Sequence, residues 1–220
     1  MSAKSSWGRI AVLAGGWSKE RSISLKGGRA VHSALQAMAY DAFLIDLLDA
    51  QSTMQMMRKQ AFDCAFILMH GEGGKDGCIQ SMLESIAKPY TGSGVLSSAL
   101  TMNKVLTKNM WRDMKLPTPP WQMLWPGFNP EEIVSILGLP LIVKPVDSGS
   151  SFGISLVNRL EVLPEAHLKA LDGVVRPVMA ESYIDGDEYS VAFVGDKVFP
   201  PIRITPVAPK HTQHLSLIHI

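Results

Sequence analysis

The chain has 220 residues, 46% of them hydrophobic and 19% charged, with a formal net charge of +1. That length suits one large domain or two small ones with a buried core, and so small a charge gives no field that would draw nucleic acid or an anionic membrane surface. No apolar run approaches the roughly 20 residues that span a bilayer, and Met1 to Gly8 has no apolar centre or cleavage site of a secretory signal. Cys64 and Cys78 read as small buried thiols of a reducing compartment. A cytoplasmic α/β protein without nucleic-acid or membrane partners is expected.

Arg9 to Ala14 is almost purely apolar and stops at Gly15-Gly16, the pattern of a parallel strand buried on both faces. Val31, Ala34, Leu35 and Met38 recur at helical spacing, predicting an amphipathic helix over about 23–39. A strand at 42–47, a Met-rich helix at 51–59, an apolar strand at 64–69 and a helix over 76–85 follow. Strands alternating with helices imply a parallel sheet with right-handed crossovers. Pro89 to Gly94 breaks the rhythm and reads as a domain exit. Beyond it come helices near 95–101 and 103–113, an extended proline-rich stretch at 116–120, a helix at 130–137, and strands at 141–144 and 154–157. A helix at 161–171 precedes strands at 178–184 and 188–194, and 197–205 returns from a hairpin turned at Gly195-Asp196. The domains expected are 1–94, 95–186 and 187–214, with 215–220 as a non-native tail.

Four segments carry chemistry. Gly15-Gly16-Trp17-Ser18-Lys19-Glu20-Arg21 follows the first strand and opens a helix, a place where backbone passes close to a ligand. Its spacing does not fit the dinucleotide fingerprint. Glu20 either complements the helix dipole or, at the carboxyl end of a strand, holds a substrate ammonium. Met69-His70-Gly71-Glu72-Gly73-Gly74-Lys75-Asp76-Gly77 repeats the arrangement, with Asp76 as an N-cap and His70 either structural or catalytic. Two such loops at neighbouring strand ends suggest one cleft.

The third segment is Lys144-Pro145 closing an apolar strand, followed by Ser148-Gly149-Ser150-Ser151-Phe152-Gly153. A buried lysine needs a partner for its charge, and phosphate oxygens would serve, with the loop laying N–H groups and hydroxyls over them. It is not a Walker loop. In the fourth, Glu181 and Glu188 flank Tyr183 and Ile184, where an adenine could pair with backbone and a carboxylate could take ribose hydroxyls; a solvated turn is the plainer alternative.

Together these motifs resemble the D-alanine–D-alanine ligase family of the ATP-grasp superfamily. The resemblance rests on Gly-Gly-x-Ser-x-Glu-Arg, His-Gly-x-x-Gly-x-Asp-Gly, Pro-Tyr-Thr-Gly-Ser-Gly, Val-Lys-Pro and Gly-Ser-Ser-x-Gly in that order, and runs from Arg9 to about Thr205. It implies an α/β fold, a Rossmann-like N-terminal domain followed by an incomplete α+β ATP-grasp fold. It also implies ligation of two D-alanines through an acylphosphate for peptidoglycan precursor synthesis, using ATP and two Mg²⁺ ions (Mn²⁺ substituting), in a homodimer. Carried over by motif, Glu20 holds the first D-alanine's ammonium with His70 nearby, and Ser150 sits beside it in a catalytic network. Lys104, Lys144, Ser150 and Ser151 bind the ATP phosphates, Glu181, Tyr183 and Ile184 line the adenine pocket, and Glu188 takes the ribose. Asn103, Asp147-Ser148 and Phe152 depart from the family pattern without removing a ligand.

The resemblance implies metal ligands beyond the last family-like residues, Pro209 to Thr212, so no metal-binding residue is assigned within the chain. The chain is expected to be C-terminally truncated and, as it stands, inactive, with Leu215 to Ile220 resembling translated sequencing adapter. The alternatives are another ATP-grasp carboxylate–amine ligase, such as a D-alanine–D-lactate ligase, and a non-catalytic nucleotide-binding fragment.

Overall fold

The computed structural model describes residues 7–205; the expectations for Pro209 to Thr212 and for the tail at 215–220 lie outside the described residues. Contacts divide the chain into two compact units, 1–103 and 104–220.

In the first unit, β1 (Ile10–Gly15), α1 (Arg21–Ala37), β2 (Ala42–Leu47), α2 (Ala50–Lys59) and β3 (Cys64–Ile67) alternate as expected, followed by α3 (Cys78–Ser85) and α4 (Val95–Met102). The sheet is parallel in the order β2-β1-β3, with Ile10 opposite Ala42 on one side and Cys64 on the other. The apolar run becomes the central strand because only there are both faces and both edges covered; every residue of β1 is buried. Gly28 lets α1 lie against β1, since a Cβ there would sit 2.4 Å from that of Ala14. The supposed exit at 89–94 runs beside β3 instead, exchanging backbone hydrogen bonds between Ala65 and both Pro89 and Thr91. α4 packs against α3, so by contacts this unit ends at Asn103 rather than at Gly94. Neither cysteine is fully buried: Cys64 is half-buried and Cys78 exposed, both as free thiols.

The second unit starts with α5 (Lys104–Asp113), then β4 (Trp121–Met123), α6 (Pro130–Leu137), β5 (Leu141–Pro145) and β6 (Ser155–Val157). A 3₁₀ turn at Leu160–Val162 leads into α7 (Leu163–Leu171) and β7 (Val178–Ser182). β4, β7, β5 and β6 form an antiparallel sheet in that order. Leu141 and Val143 of β5, Val178 and Ala180 of β7, and Val157 of β6 share a core with Ile133 and Leu137 of α6 and Leu163, Ala166 and Ala170 of α7. Strand alternation therefore sends Ile142, Lys144, Met179 and Glu181 to the opposite face.

Three sequence expectations are corrected here. The three-residue β4 follows the proline-rich stretch and was not anticipated. β7 stops at Ser182, leaving Tyr183 and Ile184 in the connection that follows. The long strands read at 188–194 and 197–205 are each divided, into β8 (Glu188–Ser190) with β9 (Phe193–Val194) and β10 (Lys197–Val198) with β11 (Ile202–Ile204). β9 pairs with β10 about the Gly195-Asp196 turn, and β8 with β11. Between β10 and β11 stand Pro200 and Pro201, which have no N–H to give a ladder.

Candidate active site

In the first unit the loops after β1 and β3 are locked together. Ser18 donates its hydroxyl to the carbonyl of His70 at 2.6 Å. The Trp17 ring lies where a side chain on Gly73 would go, and Ser18 and Glu20 crowd Gly71 in the same way. Both glycines have positive φ, so the turn and the close approach require them together. Ser24 ties the two strand ends, accepting from the N–H of Gly15 and donating to the carbonyl of Leu68. Arg21 forks onto both carboxylate oxygens of Asp46 and also donates to the carbonyls of Leu47 and Gly16. Asp76 receives N–H bonds from Gly73 and Cys78. It caps α3 from one residue further out than expected, the cap position itself being Gly77 in a left-handed conformation.

Glu20 is buried at 4% exposure, and its carboxylate lies 3.8 Å from the ammonium of Lys75. His70 is half-buried beside them. Burial and the positive Lys75 hold its imidazole below the ordinary range, against the opposing pull of Glu20. A carboxylate desolvated at strand ends and already facing one ammonium can hold a substrate's ammonium. The neutral imidazole nearby can exchange a proton.

The second cluster lies within the second unit. Glu181 projects from β7 on the face away from α6 and α7, one strand from Lys144 on β5. Lys144 donates to Oε1 of Glu181, and Lys108 of α5 donates to Oε2 at 2.9 Å and to the hydroxyl of Thr118 at 2.8 Å. Lys144 and Lys108 are 0% and 1% exposed. Lys104, one turn before Lys108, gives its ammonium to the carbonyls of Val146 and Ser148. Burial, followed by repulsion from Lys144, pushes its pKa down to about 8. Burial likewise lowers Lys144, with Glu181 pulling the other way. Two ammonium groups whose charge is disfavoured by burial are stabilised by an anion.

Three of the expected residues, Lys104, Lys144 and Glu181, thus come together, though Glu181 engages lysines rather than standing open. Ser150 and Ser151 form a turn after β5 with φ of 52° and 60°, Ser150 exposed and Ser151 half-buried. Tyr183 and Ile184 are exposed beyond β7, and the N–H of Tyr183 is taken by the carbonyl of Pro140. Glu188 is half-buried at the start of β8. Sequence reasoning missed Lys108 and Lys75. Lys108 stands four residues after Lys104, the spacing that puts two side chains on one helix face; Lys75 had no such signal.

Among the described residues no group of three or more His, Cys, Asp or Glu is disposed to hold a metal ion. The resemblance assigned the magnesium ions no ligand among these residues. Nor is any described helix long and apolar enough to cross a membrane.

A parallel β/α unit followed in the chain by an antiparallel sheet with a buried lysine–glutamate cluster on one face is what the resemblance to ATP-grasp proteins implies, and the comparisons bear it out. A family model described as the D-ala D-ala ligase C-terminus matches residues 110–212. The D-alanine–D-alanine ligases of Nitrosococcus oceani and Ectopseudomonas mendocina are each 46% identical over 198 residues, 90% of this chain and 62% of theirs. The crystal structure of the Bacillus anthracis D-alanine–D-alanine ligase complexed with ATP is 30% identical and superposes with a TM-score of 0.80, over 92% of this chain and 67% of that one. The Coxiella burnetii D-alanine–D-alanine ligase gives a TM-score of 0.75 at 27% identity, over 89% of this chain and 70% of that one. The chain belongs to the D-alanine–D-alanine ligase family, and it spans 62% of the length of the curated relatives it matches.

Proposed function

We propose that the enzyme carrying this chain joins two D-alanines at the expense of ATP, through an acylphosphate, to supply D-alanyl-D-alanine for peptidoglycan. The observation that carries this is the cluster in one unit of buried Lys108 and Lys144, with half-buried Lys104, around the carboxylate of Glu181. In this reading Lys104 and Lys144 neutralise the phosphates, with Ser150 and Ser151 closing over them. Glu181, Tyr183 and Ile184 bound the adenine, and Glu188 takes the ribose. Glu20 holds the ammonium of the first D-alanine, with His70 beside it. Holding the reactants in register makes the condensation effectively unimolecular. Mg²⁺ is proposed to accompany ATP, as two ions, with ligands other than these residues, and no step here is routed through it. Family membership supports placing the enzyme in the cytoplasm as a homodimer that acts on small molecules.

Calorimetric titration of the chain with ATP and GTP tests the nucleotide half; ATP is expected to bind, and binding no different from that of GTP would overturn it. Phosphate release tests the activity. In the full-length enzyme that carries this chain it is expected to require both ATP and D-alanine, and release unaffected by omitting D-alanine would overturn the ligase reading.

A further inference from the structure

Among the described residues Lys108 is the most deeply buried cation to which the proposed function gives no role. The residue is 1% exposed and its ammonium is committed to Glu181 Oε2 and to Thr118, so it does not itself reach a ligand. Its importance is what it does to its neighbours. Glu181 has two carboxylate oxygens, and the two lysines take one each. Without Lys108, Glu181 would be free to swing both oxygens onto Lys144 and cancel its charge. With Lys108 in place the carboxylate is held between two cations and neutralises neither completely. Counting Lys104, three ammonium groups stand against that one carboxylate, leaving two surplus positive charges. Asp147, exposed at the start of the serine loop, is the other carboxylate whose charge reaches Lys104.

We infer that Lys108 is a positioning residue for polyphosphate: by holding Oε2 of Glu181 it fixes the carboxylate and keeps the ammonium groups of Lys144 and Lys104 available, with surplus charge, to an oligophosphate. This rests on the phosphate-binding reading of the cluster but not on adenine recognition. It also separates the roles of the two deepest lysines: Lys144 meets the ligand, whereas Lys108 acts through Glu181.

The probe is inorganic tripolyphosphate, titrated calorimetrically into the wild-type chain and into Lys108→Met, Lys108→Gln and Lys108→Arg, with circular dichroism to follow folding. Lys108→Met is expected to weaken tripolyphosphate binding by about tenfold or more, and Lys108→Arg, which keeps the charge, to stay within about threefold of wild type. Lys108→Gln keeps a donor for Glu181 and Thr118 but not the charge. It is expected to weaken binding as Lys108→Met does, and it serves if Lys108→Met does not fold. Unchanged affinity in a folded Lys108→Met or Lys108→Gln, an arginine variant as weak as these, or a wild-type chain that does not bind tripolyphosphate would each overturn the inference. Wild-type ATP binding no tighter than tripolyphosphate binding would instead overturn the nucleotide reading and leave Lys108 its role.

Discussion

Lys104 should make anion binding depend on pH in a way no ordinary surface lysine would. Its pKa is pushed from 10.5 to about 8 by burial and by Lys144. That difference corresponds to about 3 kcal/mol disfavouring the charged form in the folded chain. The unfolded chain keeps its proton up to the ordinary lysine range, so between pH 8 and 10.5 unfolding takes up a proton. The cost of burying the charge is fully present below pH 8, and stability from this group rises with pH across the window. A bound polyphosphate works in the opposite direction, because it restores the ammonium. Below pH 8 Lys104 is protonated both free and bound, and itself takes up no proton on binding. Above it, binding must draw a proton from solution, and affinity should fall by up to about tenfold per pH unit until the bound group also titrates. Titrations of ATP between pH 6.5 and 9.5, in buffers of contrasting ionisation enthalpy, read this directly. Proton uptake near zero at pH 7 and approaching about one at pH 9 is expected. Lys104→Arg, which stays charged throughout, should flatten the profile. Zero uptake at pH 9 in the wild-type chain, or an arginine variant with the same slope, would refute the reasoning.

Two stability tests follow from the packing. Gly28→Ala would place a methyl 2.4 Å from the Ala14 side chain and push α1 off the sheet, costing about 1–3 kcal/mol. Its neighbour Gly27→Ala meets only the mobile end of Leu68 at 3.2 Å, so it should be neutral or gain up to about 1 kcal/mol from helix propensity. Urea midpoints that fail to separate the two would show that the contact does not limit the approach. Glu181→Leu leaves Lys108 and Lys144 buried without their shared carboxylate and is expected to cost about 3–5 kcal/mol. A loss under about 1 kcal/mol in the same assay would mean the lysines find another partner.

What could be read in advance depended on whether a residue's own neighbours in the chain reveal its surroundings. β1 could be read because its apolar run makes sense only for a strand covered on both faces, and Lys144 stood out because it ends such a run. Lys108 carries no such mark. It lies in a helix whose sequence, Lys-Val-Leu-Thr-Lys-Asn-Met-Trp-Arg-Asp, reads as an ordinary half-exposed segment. It becomes buried only because that helix face meets a carboxylate 73 residues later. Glu181 shows the same limit from the other side. In Val178-Met179-Ala180-Glu181 the alternation assigns the glutamate to the face opposite the alanine, and in Leu141-Ile142-Val143-Lys144 it assigns the lysine to the face opposite the valine. What alternation does not supply is that the two faces are one face. That follows from the register that sets Ile142 beside Glu181, and a slip of one residue would have sent the carboxylate into the apolar core. The register is selected by the burial of Leu141, Val143, Val178 and Ala180 against α6 and α7. The charged cluster is therefore placed by apolar residues on the other face of the sheet, which is why Lys144 and Glu181 could be named singly from the chain while their meeting could not.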